Sequence, residues 1–203
     1  MPQRNTVKEY APESYYHVYN RGVNKADIFL DEQDYTVFLN LIKRYLGKDV
    51  EKKTNRLQYE NYYDKIELLA FCLMPNHFHL FIYQSESRLI NEVMKRVCVT
   101  YSMYFNNRYG RVGTLMQQRY KAVKIDDDAQ LLHISRYIHM NPTNYKSYEW
   151  SSLPYYMGMR SASWLRAERA IGLFPPHTYM SFLDEYRSKR AELKYLKHSL
   201  ADA

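Results

Sequence analysis

Two histidines one residue apart, His77 and His79, open an apolar run just after Met74-Pro75-Asn76. On a β-strand successive side chains alternate faces, so both imidazoles point one way and Phe78 the other. Such a pair can claw a divalent cation, or it can cap a strand end and hydrogen bond within a half-polar layer. His-x-His alone does not choose between these. A second constellation has four-residue spacing, at His133, Tyr137 and Asn141. On a helix these form one polar stripe with neighbouring Cβ atoms about 5–6 Å apart, beside an apolar seam of Ile134 and Ile138. His139 lies about 100° per residue further round the helix and ranks below them. In a chain with 22 tyrosines, Tyr137 taken alone is as readily a core or rim residue as a reactive one.

The elements that must position these groups are legible from periodicity. Residues 1–13, interrupted by Pro2 and Pro12, read as an N-terminal arm. Tyr15 to Arg21, ended by Gly22, is aromatic and β-branched and reads as a strand, with His17 and Tyr19 sharing one face. Asp31 to Leu46 carries Tyr35, Phe38, Ile42 and Tyr45 at helical spacing, with Asp31 as N-cap and Gly47 past the end. Residues 48–66 are polar and aperiodic, a surface excursion whose Tyr-Glu-Asn-Tyr-Tyr segment is either a packed turn or a stacking patch. Glu67–Met74 and His77–Tyr83 make an antiparallel hairpin around Pro75-Asn76. Their continuous apolar runs predict a central position in the sheet.

A second long helix is predicted from Leu89 to about Tyr109, stopping near Gly110, and a short strand over Arg119–Ile125. Asp126 to Asp128 then cap a third helix, from about Asp128 to Asn141, ended by Pro142. Beyond it, Tyr145–Pro154 is loop-like, Ser163–Ile171 a short helix, and Thr178–Leu196 an amphipathic helix whose outer face carries Arg187, Lys189, Arg190, Lys194 and Lys197. The order strand, helix, strand, strand, helix, strand, helix describes an α+β, ferredoxin-like (RRM-like) antiparallel sheet with helices on one face, the other face being free. It is expected over residues 14–145, with 146–203 as a small helical C-terminal appendage.

At 203 residues the chain can bury one main core. Its net charge of +7 and 16% aromatic content favour a polyanion with unpaired bases, since cations attract phosphates and exposed rings stack on bases. Cys72 and Cys98 both lie in apolar patterns, which excludes a disulfide framework or a zinc ribbon. No run approaches the about 20 apolar residues of a membrane span, and the N-terminus lacks a signal-peptide core. A cytoplasmic, nucleoid-associated protein without membrane contact is expected.

Met74-Pro75-Asn76-His77-Phe78-His79 and Arg136-Tyr137-Ile138-His139-Met140-Asn141-Pro142 together resemble the motifs of the single-tyrosine HUH transposases, the IS200-like group, and within them the branch associated with repetitive extragenic palindromes (REP). The resemblance extends through Tyr19-Asn20-Arg21-Gly22, Gly110-Arg111-Val112-Gly113, Gln118-Arg119-Tyr120-Lys121 and Trp150-Ser151-Ser152. The polar stretch 48–66 is longer than is usual there. What the resemblance implies is an endonuclease and strand transferase acting on single-stranded DNA at hairpins. His77 and His79 match the metal-binding pair, Tyr137 the nucleophile, and Asn141 a position that helps hold the metal, Mg²⁺ or Mn²⁺. His133 is a possible assisting ligand or base. Imidazole ligands suit Mn²⁺ at least as well as Mg²⁺.

Tyrosine attack yields a 5′-phosphotyrosine, which a free 3′-OH can later reverse because phenoxide, with a pKa of about 10, is a fair leaving group. Arg21, Arg108, Arg111, Arg119, Lys121 and Lys124 are the phosphate-contact candidates. The protein is expected as a monomer or homodimer. Two other readings compete: a replication initiator or relaxase, which resembles longer chains with a partner domain, and a non-catalytic nucleic-acid-binding module on an RRM-like sheet. The second of these would not need His77, His79, Tyr137 and Asn141 together.

Overall fold

The computed structural model describes residues 10–48, 60–172, 174 and 178–185. Its central part runs β1 (Ser14–Arg21), α1 (Glu32–Leu46), β2 (Ile66–Met74), β3 (His77–Gln84), α2 (Leu89–Arg108), β4 (Lys121–Ile125) and α3 (Asp128–His139). The four strands form one sheet in the order β2-β3-β1-β4, with every neighbouring pair antiparallel. Among the described residues no helix is long and apolar enough to cross a membrane.

Side-chain alternation sorts this sheet into two faces. Tyr16, Val18, Phe78, Leu80 and Ile82 point to one of them and are buried. There the rings of Phe38 from α1 and Phe78 meet at 5.0 Å, and Phe38 meets Tyr101 from α2 edge-on at 5.1 Å. Asp31 caps α1, its carboxylate accepting from Asp34 N at 3.2 Å, and Gly47 follows the helix as its C-cap. His17, Tyr19, His79 and Phe81 point to the other face, which is not free. Helix α3 packs across it, with Tyr137 against His17 and His79. The cause lies in the α3 seam: Ile134 and Ile138 are both 0% exposed, an apolar stripe that needs a sheet to cover it.

The hairpin turn is pinned from outside. Pro75 O accepts from Ile28 N and Phe29 N at 2.7 and 3.0 Å, and Asn76 O accepts from Gly22 N at 2.8 Å. At the other end of the site α3 stops at His139, two residues earlier than predicted. Asn141 N reaches back only to Ile138 O, at 3.4 Å, a tightened last turn before Pro142. Asn141 therefore sits just past the helix, at the mouth of the space between α3 and the sheet.

The C-terminal elements are α4 (Leu153–Tyr156), α5 (Ala167–Ile171) and α6 (Tyr179–Asp184). They are not peripheral. Leu73 N donates to Trp150 O, Ser152 N to Phe71 O and Arg166 N to Leu68 O, all at 2.8–2.9 Å, so this segment covers the outer edge of β2. Trp150 stacks on Tyr35 at 4.5 Å, and the Tyr156 hydroxyl donates to Leu69 O at 2.9 Å. This explains how β2, outermost in the sheet, can carry a continuous buried apolar run: its edge is capped rather than solvated.

In the polar excursion Tyr62 is buried, with its hydroxyl 2.8 Å from Glu60 and 2.9 Å from Glu92, so this part is a packed turn. Residues 49–59, the first nine residues of the arm, and the basic face from Arg187 to Lys197 lie outside the described residues.

Candidate active site

β3 brings the two histidines to the sheet end. His77 is the cross-strand partner of Arg21 and His79 of Tyr19. His77 Nε2 lies 3.1 Å from Asn141 Oδ1, and His79 Nε2 lies 3.3 Å from Asn141 Nδ2. The ε nitrogens of both imidazoles thus converge on one amide, delivered from the far side by the turn after α3. Tyr137, one turn earlier, sets its ring edge-on to His79 at 5.4 Å and to His17 at 5.6 Å.

Behind this front each imidazole is braced through its δ nitrogen. Asn76 Nδ2 donates to Lys25 O at 3.2 Å, which leaves Asn76 Oδ1 to accept from His77 Nδ1 at 2.5 Å. His79 Nδ1 lies 2.9 Å from His17 Nε2 in a fully buried pair. With Asn141 Nδ2 donating to His79 Nε2, the hydrogen-bond network assigns the His79 proton to Nδ1, donated to His17. Neither His17 nor Asn76 stood among the sequence-predicted site residues. The signal for His17 was its alternation with Tyr19; for Asn76 it was its place in the hinge.

These residues fit a divalent cation. The proton on His77 Nδ1 leaves a lone pair on Nε2 facing Asn141 Oδ1, another acceptor, 3.1 Å away. Two acceptors so close call for positive charge between them, either a proton or a metal ion. Burial holds the His77 imidazole below its ordinary range and disfavours the proton. His79 is pushed well below its range, first by burial and then by the neighbouring His17 and His77. Neutral imidazoles are the form that ligates metal. Among the described residues no cluster of three or more His, Cys, Asp or Glu could hold a metal ion, so Asn141 Oδ1 is the third donor at hand. Two histidines and an amide leave coordination positions for a phosphate oxygen.

His133 stacks on Phe182 at 5.5 Å and shares a hydrogen bond with Arg136 at 2.8 Å, which places it against α6. His139 is buried between the Tyr179 hydroxyl and Ser152 Oγ, each at 2.6 Å, and burial drives its pKa down to about 3. It locks the C-terminal segment to α3.

The basic candidates separate by partner. Arg108 pairs with Asp31 at 2.6 Å and with Asp34 at 2.7 Å, and the Asp34 side chain is 0% exposed. A phosphate would have to strip this cation from a buried carboxylate, which makes Arg108 the costliest of the basic candidates to recruit. Lys124 pairs with exposed Asp126 at 2.6 Å, a bond that costs little to exchange. Lys121 lies 5.7 Å from the Tyr19 ring, beside His79. Arg21 donates to Gln117, Arg111 to Asn106, and Arg119 is exposed.

Comparison with curated proteins returns no match. Among solved structures, a REP-associated tyrosine transposase bound to a REP hairpin overlaps 80% of this chain and 91% of its own, with a TM-score of 0.58 and 14% identity. A second structure, from Deinococcus radiodurans R1 and named as a transposase, overlaps 68% of this chain and 95% of its own with a TM-score of 0.40 and 14% identity. At such identities the first likeness speaks for the α+β fold. The sequence model of the family described as "Transposase IS200 like" matches residues 13–141, from the start of β1 to Asn141. The chain belongs to the IS200-like transposase family.

Proposed function

We propose that this chain cleaves and rejoins single-stranded DNA at hairpin-forming sequences, with Tyr137 as the nucleophile and a divalent ion held by His77, His79 and Asn141. The observation that carries the reading is the convergence of His77 Nε2 and His79 Nε2 on the Asn141 amide, with the Tyr137 ring packed edge-on to His79. The hairpin substrate is inferred from the structural neighbour, which was solved on a REP hairpin.

The Tyr137 oxygen attacks the scissile phosphorus and loses its proton, forming the P–O(Tyr) bond. The P–O3′ bond breaks, and the leaving 3′ oxygen takes up a proton. The product is a 5′-phosphotyrosine and a free 3′-OH. Attack by a 3′-OH on that ester reverses the step, re-forming a phosphodiester and the phenol without ATP. A bound divalent ion supplies charge stabilisation at the phosphate oxygens. Asn76 and His17 hold the imidazoles with their ε nitrogens forward, so little reorganises during the step.

The test is incubation with stem–loop oligonucleotides carrying single-stranded flanks, in Mg²⁺ or Mn²⁺, followed by a denaturing gel. A covalent adduct is expected from the wild type and none from Tyr137→Phe. An adduct that persists in Tyr137→Phe, or none from the wild type, defeats the assignment.

A further inference from the structure

The loop between α2 and β4 presents an apolar tip on a rigid base. Val112 is 98% exposed, the most exposed large apolar residue among those described. It is flanked by Gly110 and Gly113, at φ of +59° and +95°, where an added Cβ would meet nothing within 4 Å. Left-handed backbone at both glycines lets the chain turn out and back around Val112. The base below is fixed. Asn106 O accepts from Arg111 N at 2.9 Å, and Asn106 Nδ2 donates to Gly113 O at 2.8 Å. Gly22 and Met116 form an antiparallel bridge, while Val23 N donates to Leu115 O at 3.0 Å and Gln117 N to Arg21 O at 2.9 Å. The loop is thus stitched to the end of β1, whose last residue, Arg21, is the cross-strand partner of His77.

One exposed valine is ordinary on a protein surface. This one shares its loop, and the strand end the loop is stitched to, with guanidinium groups of a particular kind. Arg96, Arg108 and Arg169 all pair with carboxylates. Arg21 and Arg111 instead hydrogen bond to the neutral amides of Gln117 and Asn106, and Arg119, two residues after Gln117, is exposed. Amide partners orient a guanidinium without neutralising it, so the loop offers an apolar point within positive charge. A duplex end is the complement of that surface: its last base pair exposes a flat apolar face, and phosphates ring it.

We propose that the loop Gly110–Arg119 caps the foot of a DNA stem, with Val112 stacked on the terminal base pair and Arg21, Arg111 and Arg119 on the flanking phosphates, so that the unpaired strand leaves the stem beside His77. The inference rests on the strand-transfer reading for its ligand. It adds where the stem ends relative to the site, and so which phosphate reaches Tyr137. Apolar side chains placed against base steps are a known means of ordering such junctions.

The test uses full-length Tyr137→Phe protein in EDTA, so that binding is read apart from cleavage. The ligand is a stem–loop with single-stranded flanks, selected by this protein from a pool of randomised stems and carrying 2-aminopurine in the terminal pair. Val112→Ser is expected to weaken binding on the order of tenfold, to abolish the change in 2-aminopurine emission, and to leave affinity for the unpaired flank alone unchanged. Arg111→Gln and Arg119→Gln should each lower the salt slope of log K by about one. An unaltered melting temperature confirms folding of each variant.

Failure of the pool to yield a binder, equal loss on stem–loop and single strand, or a 2-aminopurine emission change in Val112→Ser as large as that of the parent protein each overturn the proposal. A wild type that forms no adduct, while Val112→Ser still loses affinity for the stem–loop and none for the unpaired flank, defeats the strand-transfer reading and supports the stem contact.

Discussion

His17 Nε2 lies 2.9 Å from His79 Nδ1, with both rings buried and stacked at 5.0 Å. A residue on the neighbouring strand, itself 5.6 Å from the Tyr137 ring, thereby decides which nitrogen of His79 faces the site. His17→Ala should lower Mn²⁺ affinity by about 10–100-fold, the range typical when a partner behind a metal ligand is lost. Isothermal titration with Mn²⁺ reads this directly. His17→Gln, which can still accept from His79 Nδ1–H, should recover part of the affinity, and equal loss in both variants would reduce His17 to packing alone.

Asn141 supplies the oxygen that faces His77 Nε2. Asn141→Ala should therefore depress cleavage on the order of a hundredfold under limiting metal, and raising the metal concentration should restore part of it. Asn141→Asp should bind Mn²⁺ more tightly than the wild type, since a carboxylate adds charge to the donor set. Mn²⁺ is expected to support cleavage at least as well as Mg²⁺. The measurement is adduct yield against metal concentration for each variant.

Arg108→Gln should cost about 3 kcal/mol, because Asp34 is left as a buried carboxylate without its cation. DNA affinity and its salt slope should stay unchanged, which separates this residue from the phosphate contacts. The pair also sets an acid response. The Arg108 guanidinium holds the Asp31 carboxyl below its ordinary range. A depressed carboxyl stabilises the fold above its unfolded pKa of about 3.9 and ceases to as pH falls through the lower folded value. Melting temperatures below pH 4 should fall less steeply in Asp31→Asn than in the wild type.

Removal of residues from 146 onward should not release a self-standing catalytic domain. It uncovers the β2 edge and the Leu69 carbonyl and removes the partners of both His139 ring nitrogens. An exposed apolar edge strand is an aggregation site. The truncated chain is expected in the insoluble fraction, or with a melting temperature lower by more than 10 °C if about 3 kcal/mol is lost. His139→Ala in the full chain should cost about 2–4 kcal/mol, since Tyr179 and Ser152 lose a shared partner. Chemical denaturation measures both.

The sequence by itself determined the elements and which side chains could share a face. Helix spacing placed Phe38 and Tyr35 on buried faces of α1, and strand alternation put His77 with His79 and His17 with Tyr19. These are local facts, set by periods of about 3.6 and 2 residues. The ordered motifs carried the family resemblance for the same reason: they are strings of neighbours along the chain.

What only the tertiary structure decided is everything between elements distant in sequence. That α3 covers the histidine face, that His17 backs His79 and that Lys25 O turns the Asn76 amide toward His77 follow from strand order and element placement, which no local period encodes. The same holds for charge: Arg108 and Arg111 read alike in sequence, and their different roles depend on whether a carboxylate from α1 or an amide from α2 comes within 3.1 Å. Composition sets how many cations the chain carries. The fold decides which of them remain available to a phosphate, because a buried carboxylate cannot give up its partner cheaply while an amide has no charge to lose.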